Sequence, residues 1–211
     1  MAIKTDREYR NFNSFELLKR DESSEEDYIV KGYASTFDEY DLFDFGDEKW
    51  TERIEPTAFE QTDMTDVVFL RDHVGQVFAR TKNNTLGLMI DEHGLFSRTN
   101  LSKTSAARAM YEDIEVGNYS QMSFAFTVGD QTFEEEMRDG VRIVRRVIRS
   151  IKKIYDVSAV GFPANPNTDI GIATRSAFDG AIKELEAERL REMQEKNERA
   201  RQILALKMKI S

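Results

Sequence analysis

The chain has no cysteine, and among its 211 residues there are only two histidines, three prolines and one tryptophan. Without cysteine there can be no disulfide, no thiolate nucleophile and no cysteine-based zinc site. No apolar run approaches the ~20 residues that a membrane-spanning helix needs. The opening Met1-Ala2-Ile3-Lys4-Thr5-Asp6-Arg7 is polar and lacks the apolar stretch of a signal peptide. Positive charge is also in deficit, with 30 Lys and Arg against 39 Asp and Glu for a net charge of -9. Non-specific nucleic-acid binding and an anionic membrane surface both require a basic footprint, so neither is expected as a partner. The expectation is a soluble, cytoplasmic protein without cofactor or metal, long enough for one core plus an appendage.

Along the chain, a compact body precedes a helical tail. Tyr28 to Ala34 is rich in aromatic and β-branched residues and reads as a strand. Asp21 to Asp27 reads as a charged turn and Asp38 to Gly46 as an acidic, aromatic loop. Asp66 to Leu70 is a short strand ending beside Asp72 and His73. Thr85–Ile90 and Leu95–Leu101 form an expected hairpin through Asp91-Glu92-His93-Gly94. Ser102 to Ser105 can cap a helix reaching about Val116, with Ala106, Met110 and Ile114 on one face and Gly117-Asn118 as its stop. Val141–Ile148 and Ile151–Val160 read as two strands with an exposed basic edge in Arg142, Arg145 and Arg146. Pro163 and Pro166 end the sheet. From Ser176, with Asp179 at capping-box spacing, the tail reads as one helix. Leu190, Met193, Asn197, Ala200 and Leu204 form a short heptad seam, out of phase with Phe178, Ile182 and Leu185. A docked or dimerising helix and a free tail are both open. Many strands, one interior helix and a late amphipathic helix make an α+β body.

The segment Ser120-Gln121-Met122-Ser123-Phe124-Ala125-Phe126 carries the sharpest signal. With strand alternation, Met122, Phe124, Phe126 and Val128 form a core row, while Gln121, Ser123, Ala125 and Thr127 form a row of small or polar groups. A serine hydroxyl is a poor nucleophile until a neighbouring base takes its proton, and histidine suits that task near neutral pH. His93 lies in a turn and reads as a surface residue. His73 follows an apolar strand, where strand ends meet loops. A carboxylate must orient the imidazole, and Asp156 stands on an otherwise largely apolar strand, where it is costly unless paired. Ser120 is the rival nucleophile, but on a regular strand it shares a face with Met122 and Phe124.

Gly32-Tyr33-Ala34, Glu55-Pro56-Thr57-Ala58-Phe59, Asp72-His73, Ala79-Arg80-Thr81, Gly117 through Phe126 and Tyr155 through Pro166 together resemble the prohead (capsid maturation) protease family of tailed phages, over roughly residues 10–175. That family is a serine endopeptidase clan related to the herpesvirus assemblins. The resemblance implies a small, mostly antiparallel β-barrel flanked by helices, a protease domain over 1–175 and a C-terminal helical tail over 176–211. It implies catalytic residues His73, Ser123 and Asp156. The implied substrate is scaffold or the scaffolding region of the major capsid protein, inside the prohead in the bacterial cytoplasm. Self-digestion would leave the protease absent from the mature virion. Portal or other prohead components are further possible partners, and homodimerisation is an analogy with the herpesvirus enzymes. Three positions depart from the family pattern. Asp72 stands where Asn often precedes the His, Ala125 where Gly usually follows the nucleophile by two, and Asp156 where the acid is usually Glu. For the oxyanion the candidates are backbone N–H groups or Arg145, Arg146 and Arg149. A catalytically inactive relative acting as an internal scaffold, and an unrelated binding module, are the competing readings.

Overall fold

One long hairpin forms the spine of the molecule. The computed structural model describes residues 7–12, 15–17 and 28–161, together with helical residues between 183 and 199. The strands are β1 (Glu8–Phe12), β2 (Phe15–Leu17), β3 (Ile29–Thr36), β4 (Tyr40–Asp44), β5 (Glu48–Ile54), β6 (Val68–Arg71), β7 (Val74–Arg80), β8 (Leu86–Ile90), β9 (Gly94–Asn100), β10 (Gln121–Arg138) and β11 (Val141–Val160), with α1 (Ser105–Glu115) between β9 and β10. The hairpin of β10 and β11 turns through Asp139 and Gly140 at φ 53° and 82°, positive at both positions as a two-residue type I′ turn requires.

Two sheets result. The larger runs β1-β10-β11-β5-β4, with β6 and β7 joined to it through β11, and the smaller runs β2-β3-β9-β8. Pairing is antiparallel except where β11 meets β5 and β6, which run parallel to it. The body is thus α+β and mostly antiparallel, as expected. Among the described residues no ladder closes either sheet into a barrel.

Both sheets and α1 contribute to one core. Met122, Phe124 and Phe126 are buried in it, and the last two rings stack at 4.4 Å between centroids. Val128, the fourth member of the expected row, is only partly buried, because the β10–β11 register slips around it. Thr104 caps α1 by accepting the Ala107 N–H, and Ala107, Met110, Tyr111 and Ile114 are buried. Burial of this apolar surface is the main force holding the two layers together.

Several expectations are corrected. The Asp38–Gly46 segment contains strand β4, in which Asp41 and Asp44 point to solvent while Leu42 and Phe43 pack against the cluster of Trp50 and Val144. Its acidity reflects one exposed face, not a loop. The two strands expected over 141–160 are one continuous strand. The basic edge is not a free one. Arg142 pairs with Glu48 and Glu135, Arg145 with Glu39 and Glu134, and Arg146 is buried between Glu8 and Glu52. In the tail, Leu185 is buried against Trp50 and Val144, whereas the seam residues Leu190 and Met193 are exposed. The out-of-phase leucine is therefore the one that packs. Asn197, Ala200 and Leu204, the capping pair Ser176 and Asp179, the charged turn 21–27 and the prolines after Gly161 lie outside the described residues.

Candidate active site

The β6–β7 connection is as short as a hairpin can be. Arg71 pairs with Val74, leaving Asp72 and His73 as the two turn residues, at φ 48° and 61°. Both are therefore left-handed, in the pattern of a type I′ turn. Asp and His are among the side chains that tolerate this region best. Asp72 fastens the turn: its N–H donates to the Ala159 carbonyl at 3.0 Å, and its carboxylate accepts the Gly161 N–H at 3.4 Å. The turn is thereby tied to the end of β11.

β11 runs between β10 and β6 here, with Ser158 opposite Ser123 on one side and Leu70 on the other. Asp156 pairs likewise with Ala125 and Val68. Strand alternation then puts Ser123, Ala125, Asp156 and Ser158 on one face, opposite the core row of Met122, Phe124 and Phe126. His73 leans over that face. Its Nδ1 lies 2.6 Å from Asp156 Oδ1 and its Nε2 lies 2.6 Å from Ser123 Oγ. An ionised carboxylate only accepts, so Nδ1 carries the proton and Nε2 is left to accept the serine hydroxyl. That is the tautomer a general base needs.

Two further side chains complete the arrangement, and neither was singled out from the sequence. Ser158 Oγ donates to the same Asp156 oxygen at 2.8 Å, from a fully buried position. Its signal was available: two residues after Asp156 on a strand is the same face. Tyr9, from β1, sets its ring edge-on against the His73 ring at 4.5 Å between centroids. Burial, reinforced by the negative charge of Asp156, raises the Tyr9 phenol above its ordinary range. Nothing local in the sequence pointed to Tyr9, because the contact spans the whole body.

The other side chains considered fall elsewhere. His93 is exposed in the β8–β9 turn, and Ser120 is exposed ahead of β10. Arg145 and Arg146 lie ten or more residues before Asp156 on β11, roughly 33 Å away at the rise of a strand, and both are held by carboxylates. Arg149 is exposed and seven residues before Asp156, roughly 23 Å away. None of the three β11 arginines is therefore placed to meet a charge developing at Ser123.

On the opposite face from Tyr9, β1 takes part in a buried charge cluster. Arg10 donates to both carboxylate oxygens of Glu52 and to Glu8, Arg146 donates to Glu8 and Glu52, and Tyr40 donates to Glu52. Two guanidinium and two carboxylate charges balance. Burial pushes the Glu8 carboxyl up, but hydrogen bonding to Arg146 and the charges of Arg146 and Arg10 outweigh it and hold the group at about 2.

No curated protein and no solved structure matches the chain. A sequence profile of the caudovirus prohead serine proteases matches residues 14–181, the greater part of the chain and the part that contains His73, Ser123 and Asp156. By that match the chain belongs to the caudovirus prohead serine protease family.

Proposed function

We propose that the protein is the serine endopeptidase of capsid maturation, cutting scaffold or the scaffolding region of the major capsid protein inside the prohead, and trimming itself. Family membership supports the coarser role of a capsid-maturation protease acting during assembly inside the host cell. The single observation that carries the chemistry is the unbroken chain of hydrogen bonds Ser123–His73–Asp156, both links at 2.6 Å.

In this reading His73 Nε2 takes the Ser123 proton as Oγ attacks the scissile carbonyl carbon. Asp156 holds the imidazole and stabilises its charged form, and Ser158 holds Asp156. Backbone N–H groups meet the oxyanion. Collapse expels the amine, which takes its proton from Nε2, and water then cleaves the acyl-enzyme by the same proton path. The reading brings with it a herpesvirus-protease-like barrel, a protease domain over 1–175 with a tail over 176–211, and absence from the mature virion. The sharing of one core by the two sheets is in keeping with the first of these.

The test is Ser123→Ala, co-expressed with the capsid protein. Processing and self-shortening should both stop while capsid assembly proceeds. Unchanged processing would remove Ser123 as the nucleophile. An inactive relative serving as an internal scaffold is favoured by the burial of Ser123. It makes the opposite forecast, that the wild-type chain itself processes nothing.

A further inference from the structure

The serine of the site is sealed. Ser123 has 0 % exposure, and the side chains of His73 and Asp156 have 3 % and 4 %. Attack on a peptide needs its carbonyl carbon about 3–3.5 Å from the nucleophile, so no peptide reaches Oγ until a protein segment moves aside.

The strand that lies against the imidazole is β1. β1 is the end strand of the large sheet, paired antiparallel to β10 with Tyr9 opposite Ala125 and Asn11 opposite Ser123. Its alternation divides two tasks. Tyr9 faces the site and stands against the imidazole, while Glu8 and Arg10 face away and anchor the strand through the buried cluster with Glu52 and Arg146. Arg7 adds a further hold, its guanidinium 3.7 Å above the Tyr155 ring. β1 also precedes residue 14, where the match to the protease family begins.

We propose that β1 keeps the enzyme latent: it is a removable cover whose Tyr9 closes the access to His73 and Ser123, and the site admits an extended peptide only when β1 leaves the edge of β10. This rests on the reading of Ser123 as the nucleophile. The ionic anchorage makes release a property of the strand as a unit, because Glu8 and Arg10 share their partners.

The absence of native cysteine allows a direct test. Phe12 and Met122 are paired across β1 and β10. Paired residues of an antiparallel ladder have Cα atoms about 4.5–5.5 Å apart, within the span of a disulfide. In Phe12→Cys/Met122→Cys the only possible intramolecular disulfide locks β1 in place. The probe is a fluorophosphonate, whose phosphorus is attacked by Ser123 Oγ with loss of fluoride while His73 takes the proton. The full-length oxidised protein should label at least tenfold more slowly than the same protein reduced. Tyr9→Ala should label at least tenfold faster than wild type, and Ser123→Ala should not label. Equal rates for the oxidised and reduced forms, with Ser123 still the labelled residue, would overturn the cover and leave the protease reading intact. No labelling of Ser123 in any form, the reduced and Tyr9→Ala proteins included, would overturn the nucleophile and the cover with it.

Discussion

Replacing Asp156 by Asn asks what the carboxylate contributes beyond shape. The amide is nearly isosteric, and its oxygen can still accept both the His73 Nδ1–H and the Ser158 hydroxyl that now meet on Oδ1. The buried side chain therefore keeps its partners, and melting should shift by only a few degrees. What is lost is the negative charge beside an imidazole that becomes positive during attack. With the ring charge centred about 4 Å from the carboxylate, the interaction amounts to about 4 kcal/mol at an effective dielectric of 20. At 1.36 kcal/mol per decade, that is a loss of about a thousandfold. If the amide instead flips, its NH2 faces Nδ1 and forces the proton onto Nε2, so the base is blocked and the loss is at least as large. The assay is the rate of fluorophosphonate labelling of Ser123, with thermal melting alongside. A variant within tenfold of wild type and normally folded would refute Asp156 as the electrostatic partner of His73. A normal labelling rate per folded molecule with a large drop in melting temperature would make it a purely structural group.

Ser158→Ala removes a hydrogen bond to a charged acceptor, worth about 1.5–3 kcal/mol; labelling and turnover should fall about tenfold to a hundredfold, in kcat and not in KM. Asp72→Gly should keep the β6–β7 turn, whereas Asp72→Val places a β-branched side chain at φ 48°. The valine variant should lose about 1–2 kcal/mol, seen as a melting shift of several degrees, and should mis-aim His73 as well. For Glu8 the sign follows from a folded pKa of about 2 against an ordinary value of 4.5. A depressed carboxyl contributes stability that is complete above the unfolded value and lost as pH falls toward the folded one. Protection of the amides in residues 8–12, taken relative to their intrinsic exchange rate at each pH, should therefore fall between about pH 4.5 and pH 2 before the rest of the sheet opens, and Glu8→Gln should abolish that step; a loss of protection that is uniform across the sheet would contradict the anchoring role.

The sequence was most informative where one strand's alternation decided a question. The two rows of the Ser123 segment, core on one side and small or polar on the other, are borne out in the faces of β10 down to Phe126. It was least informative where a residue's meaning comes from a distant partner. Arg146 reads as one more basic residue on an exposed edge, because Glu8 and Glu52 are 138 and 94 residues away in sequence. Tyr9 is silent for the same reason. β4 was hidden by composition, since Asp41 and Asp44 look like loop residues until Leu42 and Phe43 are seen to pack. The long hairpin was within reach: Asp139-Gly140 is a strong short turn signal, flanked by strands whose charged outer residues masked their alternation.

The departures from the family pattern form one patch, and the geometry gives each a reason. A shorter acid at position 156 reaches the imidazole only if the imidazole is brought to it. The two-residue turn does this by tying Asp72 to Ala159 and Gly161 at the end of the same strand. Asp serves there nearly as well as Asn, since both tolerate the left-handed conformation. The acid is also held from behind, because Ser158 and His73 bond the same oxygen, which limits the rotation that a short side chain would otherwise keep. Ala125 is paired with Asp156 on one side and with Tyr9 on the other. Ala125 is fully buried, so its methyl fills space that glycine would leave empty beside Asp156 and Tyr9. If β1 is the cover proposed above, the alanine belongs with it, because its buried methyl packs on the strand that β1 pairs with, opposite Tyr9. Ala125→Gly should accordingly loosen it and speed labelling of Ser123, and a rate unchanged from wild type would detach Ala125 from the closure.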